Sequence, residues 1–184
     1  MDVTQRTMHT YDQRTVHTYE LSPAELAGIR ALLDTAFDGN FSDDDWDHGL
    51  GGLHALVHHG GELVAHGSVV MRRVLHAGRS YRIGYVEAVA VRADLRRRGL
   101  GGLVMAALER VIDGAYAFGA LSASEKGAPL YRARGWQVWG GRIEVLGPDG
   151  VAALPEEEGT TYAWGQLPCA DAPLTFDWRD GDVL

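Results

Sequence analysis

The chain has 184 residues, 46% of them hydrophobic and 23% charged, with a formal net charge of −8. That length supports one domain with a sizeable core, and the acidic balance argues against a nucleic-acid binder, which would carry a basic face. No stretch approaches the roughly 20 apolar residues of a membrane span, and the N-terminus lacks the apolar run of a secretory signal. The expectation is therefore a single cytoplasmic domain over residues 1–184, without membrane or nucleic-acid partners. The lone Cys169 allows no intramolecular disulfide and no thiolate metal cluster, and reads as a packed side chain.

In chain order, "RTVHTYEL" alternates and reads as a first strand. "SPAELAGIRALLDTAF" is a helix with Ser22 as N-cap, Pro23 at its first position and Glu25 three residues after the cap. Leu26, Ile29, Leu32, Leu33 and Phe37 fall on its buried face. "SDDDWDHGLGG" enters a short helix or turn at Ser42, and "LHALVHH", Gly60-Gly61 and "ELVAHGSVVMRRVL" spell strand, turn, strand. "HAGRS" turns the chain into "YRIGYVEAVAVR", another strand.

The period then changes. Leu100, Leu103, Val104, Ala107, Leu108 and Val111 mark an amphipathic helix. "AYAFGALSA" reads as a buried strand, "PLYRARG" as a short helix ending at Gly135, and "WQVWGGRIEVL" as strand material. "TTYAWGQL" is the expected last strand, followed by a polar, irregular tail, "TFDWRDGDVL". A meander of strands followed by alternating strands and helices predicts an α/β fold with a mixed sheet.

Charge is unevenly placed. Arg72, Arg73, Arg79, Arg82, Arg92, Arg96, Arg97 and Arg98 face only Glu87 and Asp94 within residues 72–98, whereas acids gather at Asp43–Asp45 and Asp47, at Glu156–Glu158, and at Asp177, Asp180 and Asp182. One pole suits an anion and the others a cation, although charge runs are also ordinary solvated faces. The turn "RRRGLGG" joins a strand to a helix, so the unpaired N–H groups of that helix end, free of Cβ at Gly99 and Gly101, form a phosphate site beside the arginines. It is neither a Walker A loop nor GxGxxG.

"RRRGLG", preceded by "VEAVAV" and followed after about 30 residues by "LYRARGW", resembles the R/Q-x-x-G-x-G/A signature of the GNAT superfamily of N-acetyltransferases over residues 53–139. The resemblance implies a single-domain GNAT fold, with a mixed, mostly antiparallel sheet flanked by helices, and a turn that holds the pyrophosphate of acetyl-CoA. "DDDWDHGLGGLHALVHHGG", "GYVEAVAVRAD", "GAYAFGALSASEKGAPLYRARGW", "PEEEGT" and "DWRDGDV" are similar to actinobacterial aminoglycoside 2′-N-acetyltransferases along nearly the whole chain. That likeness implies acetyl transfer to the 2′-amine of an aminoglycoside, with antibiotic resistance as the consequence, and homodimers are common among such proteins.

On these grounds acetyl-CoA is expected at Val89, Ala90, Val91, Arg96, Arg97, Arg98, Gly99, Leu100 and Gly101, with backbone N–H groups around Val89–Val91 meeting the oxyanion. Glu87 stands in an otherwise apolar strand, where a carboxylate has few structural reasons to be, and is the expected general base. The structural alternative is an ion pair inside the sheet with Arg72 or Arg82. Tyr131 is the expected acid for the departing thiolate by resemblance, and a core aromatic otherwise.

The resemblance assigns substrate contacts to Asn40, Glu87, Ala88, Ser122, Glu157 and Asp182, with Asp45 a weaker candidate. Two positions depart from the family pattern: Asn40 where relatives carry an acid, and Leu184 where relatives can end in Trp. His54, His58, His59 and His66 lie on adjacent predicted strands without forming a complete ligand set, so no metal is expected. Two other functions fit the same motifs: a GNAT enzyme for another small amine, a polyamine or a protein N-terminus, and a CoA-binding regulator that performs no chemistry.

Overall fold

The computed structural model describes residues 11–166, 168 and 172–184; Cys169 lies outside them. Its chain traces β1 (Asp12–His17), α1 (Pro23–Ala36), α2 (Asp43–His48), β2 (Leu53–His59), β3 (Glu62–His76), β4 (Arg79–Val91), α3 (Leu100–Ala115) and β5 (Gly119–Ser122). There follow α4 (Ala128–Arg134), β6 (Gln137–Val138), β7 (Ile143–Gly147), β8 (Gly150–Ala153), β9 (Thr161–Trp164) and β10 (Leu174–Asp177). No helix among the described residues is long and apolar enough to cross a membrane.

Local chemistry sets many of these boundaries. Ser22 and Glu25 cap α1 reciprocally, side chain to backbone, and Ser42 with Asp45 does the same for α2. The β2–β3 and β3–β4 hairpins turn on Gly60-Gly61 and Ala77-Gly78, with all four residues at positive φ, the twist that two-residue hairpin loops require. Gly135 ends α4 at φ 93°.

The ten strands form one mixed sheet in the order β6-β9-β5-β4-β3-β10-β7-β8, with β2 and β1 continuing from the first half of β3. The strand pairs are antiparallel except β4–β5 and β7–β10. Helix α3 covers one face through Val104, Leu108 and Ile112, lying so close that a Cβ on Gly84 or Gly119 would stand 2.8 or 2.9 Å from Ile112. Helix α1 packs Ile29 and Leu33 against Leu56 and Ala90 on the other face. Glu109, buried in α3, accepts from Arg134 and from Trp136 Nε1 at 2.9 Å, which ties α4 to α3.

Four expectations are corrected. The first strand ends at His17, where a 3-10 turn over Thr18–Glu20 begins. Phe37 is 38% exposed rather than on the buried face of α1, because it lies past the last helical residue. Residues 136–146 split into β6 and β7 at opposite ends of the sheet, the break falling at Gly140-Gly141. The tail is not irregular and β9 is not the last strand: Leu174–Asp177 inserts as β10 between β3 and β7, burying Leu174 and Phe176 completely. A short segment like this gains its strand form from hydrogen bonding to both neighbours rather than from its own periodicity.

Candidate active site

Strands β4 and β5 pair only at Gly84–Gly119 and Tyr85–Ala120, then part. Beyond the fork lies a cleft of about 730 Å³ between the end of β4, the start of α3, and α4. Opposite Gly67 of β3 the register slips, so that His66 pairs with Ala90 and Ser68 with Glu87. This β-bulge places Ala88 and Val89 against one residue of β3, with Ala88 at φ 50°. Bulges beside active sites re-aim backbone groups and side chains.

The cleft brings together Val89, Ala90, Val91, Arg96, Arg97, Gly99, Leu100, Gly101 and Tyr131. Gly99, at φ 85°, leads into α3, whose first turn carries no acid, so the positive end of the helix is uncompensated there. Arg97 too is left-handed, at φ 61°. Arg96 donates from Nε to Val91 O at 3.1 Å and so holds the turn against the end of β4. Arg98 is exposed and does not line the cleft. Ser124, Lys126, Gly127 and Leu130 do line it and were missed by sequence reasoning. Lys126 is a cation in the same stretch that carries the second motif, which was the available signal.

These residues fit an acyl-CoA. A helix end with free amides, two arginines and a lysine suit phosphates, and the apolar walls of Val89, Leu100 and Leu130 suit a pantetheine arm. Among the described residues, no group of three or more His, Cys, Asp or Glu converges to hold a metal.

Tyr131 projects from α4 with 8% exposure and packs near Trp136 and Tyr162. Burial, aided by the charge of Glu87, pushes its phenol up to about 12. Glu87 does not line that cleft. It sits beside it, on the β4 face that also carries Tyr85, and pairs with neither Arg72 nor Arg82. Its partner is Arg179 of the tail, Nη1 to Oε1 at 2.5 Å, both side chains 15% exposed. Desolvation raises the Glu87 carboxyl above the usual carboxylate range, and Arg179 opposes that shift.

Arg179 is held in turn. It donates to Val183 O at 2.8 Å and stacks 5.2 Å from the Tyr85 ring. Arg72, 3% exposed, donates to Asp177 Oδ1, Asp177 O and Val183 O. His48 meets Asp180 O at 2.8 Å, and Gly181 lies so close to α2 that a Cβ there would stand 2.6 Å from Asp44. The tail is thereby strapped over Glu87. Sequence reasoning missed Arg179 because nothing local connects it to a residue 92 positions earlier.

Of the remaining expected residues, Ser122 donates to Glu157 Oε2 at 2.7 Å, and Glu157 also accepts from Thr160. Ala88 is half-buried in the bulge, while Asn40, Asp45 and Asp182 stand on different elements: the loop after α1, α2 and the tail. Asp45 is occupied in capping α2. Two buried hydroxyls on the Glu87 side, Ser68 Oγ and Tyr85 Oη, have no hydrogen-bond partner among the described residues.

Residues 17–139 match the family model for an acetyltransferase (GNAT) domain, so the chain belongs to the GNAT family of acetyltransferases. Over 186 aligned residues it is 48% identical to an aminoglycoside 2′-N-acetyltransferase of Mycolicibacterium fortuitum, covering 98% of this chain and 91% of that one. The fold is also that of the Escherichia coli GNAT acetyltransferase YhbS, solved in complex with CoA, with a TM-score of 0.62, 16% identity, and 90% and 89% of the two chains covered. A GCN5-related N-acetyltransferase from Kribbella flavida superposes with a TM-score of 0.58 at 23% identity over 72% of this chain. This chain covers about a third (34%) of that longer protein.

Proposed function

We propose that the protein transfers the acetyl group of acetyl-CoA to the 2′-amine of an aminoglycoside. The substrate assignment is carried by one observation, the 48% identity to a 2′-N-acetyltransferase along 98% of the chain. Glu87 and Glu157, the latter joined to Ser122, both act electrostatically on Tyr85, and a pair of acids there suits a polycationic sugar.

The cleft residues bind the CoA phosphates at the start of α3 and lay the thioester beside the bulge. Glu87, in its ionised form, takes a proton from the attacking amine, directly or through a bridging water. The amine nitrogen bonds to the acyl carbon, backbone N–H groups at Val89–Val91 meet the oxygen, and the C–S bond breaks. Tyr131 gives its proton to the departing thiolate, a transfer suited to a phenol kept protonated by burial.

The finer reading is that residues 1–184 work as one cytoplasmic domain, that acetylation confers antibiotic resistance, and that two copies associate. Met71, Leu75, Leu146 and Val151 are 51%, 42%, 48% and 60% exposed, and the strand register puts them on one face of β3, β7 and β8. Such an apolar sheet face supports a homodimer, which sedimentation of the wild type and of Leu146→Lys would test.

The deciding experiment is thiol release from acetyl-CoA with 2′-amino compounds such as tobramycin against a 2′-hydroxyl compound such as kanamycin A. Turnover confined to the 2′-amino compounds is the expected result. Equal or absent turnover across the panel overturns the substrate assignment.

A further inference from the structure

Two histidines unused by this chemistry lie buried beside it. His54 and His66, each 1% exposed, face one another from β2 and β3 with Nδ1 of His54 3.0 Å from Nε2 of His66. The other nitrogen of His66, Nδ1, is 3.0 Å from Ala88 O, the carbonyl of the bulge. The other nitrogen of His54, Nε2, is 2.8 Å from Thr18 Oγ1, which itself accepts from Gly51 N–H at 2.9 Å. Four groups thus form one unbroken chain from the β1–α1 connection to the residue that follows the candidate base.

The direction of every bond in that chain follows from its inner end. A carbonyl oxygen can only accept, so His66 Nδ1 carries the proton. Burial pushes His66 down to about 3 and His54 down to about 4, so both rings are neutral near pH 7. His66 Nε2 therefore accepts, His54 Nδ1 donates, His54 Nε2 accepts, and the Thr18 hydroxyl donates. The Thr18 hydroxyl also lies 3.2 Å from Gly52 O, and with His54 neutral its one proton goes to the nearer His54 Nε2 at 2.8 Å.

Ala88 is a non-glycine residue at φ 50°, a conformation that persists only where its surroundings impose it. A planar trans peptide places the Ala88 carbonyl and the Val89 N–H on opposite sides. Anchoring the carbonyl on His66 turns that N–H away from β3, and Val89 lines the acyl-CoA cleft. We infer that Thr18, His54 and His66 are positioning residues: their chain of hydrogen bonds holds the Ala88–Val89 peptide so that the Val89 N–H presents itself to the thioester oxygen. This inference rests on the acetyl-transfer reading above.

The test replaces the Ala88 anchor and reads the chemical step apart from binding. His66→Leu removes the donor, whereas His66→Asn keeps an N–H close to where Nδ1 stands. The expected result is a loss of about 100-fold in kcat for His66→Leu, the size of one oxyanion donor. KM for both substrates should stay within about threefold, and His66→Asn should recover most of the lost kcat. Unchanged kcat in His66→Leu overturns the inference, as does a loss confined to KM, or an equal loss in a folded His66→Asn. If His66→Leu shows no cooperative melt, His54→Leu stands in for it: a fall in kcat of about 10-fold at constant KM supports the inference, and wild-type kcat overturns it.

A readout independent of turnover separates this inference from the function it serves. Long-range nitrogen–proton NMR of the wild type should show His54 and His66 both as neutral Nδ1–H tautomers. An Nε2–H or charged His66 at pH 7 overturns the inference even in an active enzyme. A wild type that shows those tautomers but acetylates no amine refutes the acetyl-transfer reading instead.

Discussion

Arg179 donates to Glu87 across 92 positions of sequence, Nη1 to Oε1 at 2.5 Å, and both side chains are shielded from solvent. The candidate base is thus set by two opposed effects. Desolvation raises its carboxyl, and an arginine delivered by the tail limits the rise. The working fraction of ionised Glu87 depends on a strap that β10, Arg72 and α2 hold in place.

A base must be ionised to act, so activity should climb with pH through the raised Glu87 value. Arg179→Gln removes both the charge and the hydrogen bond that lower that value, and the carboxyl then rises further. The acid limb of kcat/KM should move to higher pH in the variant, with the greatest loss of activity at mildly acidic pH. A limb that stays in place, or moves down, would show that the pair does not tune the base.

Glu87→Gln retains shape and removes the carboxylate proposed to accept the amine proton. It should lower kcat by about 10²–10⁴-fold, the usual worth of a general base. Acetyl-CoA affinity, measured by calorimetry, should be unchanged because Glu87 does not line that cleft.

Tyr131→Phe should lower kcat by about 100-fold. The phenol is pushed up to about 12, so the wild type should show no alkaline loss from this group below about pH 11. An alkaline limb near pH 9 that persists in Tyr131→Phe belongs to another group. An equal limb that vanishes in the variant contradicts the raised phenol.

Glu109→Gln breaks the buried pairing that fastens α4 to α3, leaving Arg134 without its carboxylate. Arg134 keeps 26% side-chain exposure and can reach water, so the cost should fall below the roughly 3–5 kcal/mol of a fully buried broken pair, at about 2 kcal/mol, or roughly 5 °C in Tm. Thermal melts followed by circular dichroism would read this directly.

His54 and His66 are depressed by burial to about 4 and about 3, against an ordinary 6.5. For a base with a lowered folded value, the unfolded chain binds more protons in the interval between the two values. Stability is therefore full above about pH 6.5 and falls as pH drops toward 4, by up to about 1.4 kcal/mol per pH unit for each histidine. Urea melts at pH 7, 6, 5 and 4 should show that slope in the wild type and a shallower one in the double variant His54→Gln, His66→Gln.

Much of this molecule was legible in its sequence wherever the cause was local. Ser22 with Glu25 and Ser42 with Asp45 announced helix starts, because a capping box closes within three residues. The paired glycines announced a hairpin and Gly135 a helix end, because those turns require positive φ. The strand, arginine-glycine turn and helix around Gly99 pointed to one end of the sheet, and Val89, Arg96, Arg97, Gly101 and Tyr131 all line the cleft found there. Glu87 stood out because a carboxylate in an apolar strand has few reasons to be there.

What the tertiary structure alone decided is the set of relationships with distant causes. Leu174–Asp177 carries no strand period long enough to read, and becomes β10 only because β3 and β7 offer it unpaired edges. That insertion delivers Arg179 to Glu87, a partner different from Arg72 and Arg82, which the structural alternative had named. The His54–His66 chain likewise exists only because the β2–β3 register sets the two rings on one face and the bulge turns Ala88 O toward them. Local backbone preferences are written residue by residue, whereas the partner of a buried charge or ring is chosen by which strands pair and in what register.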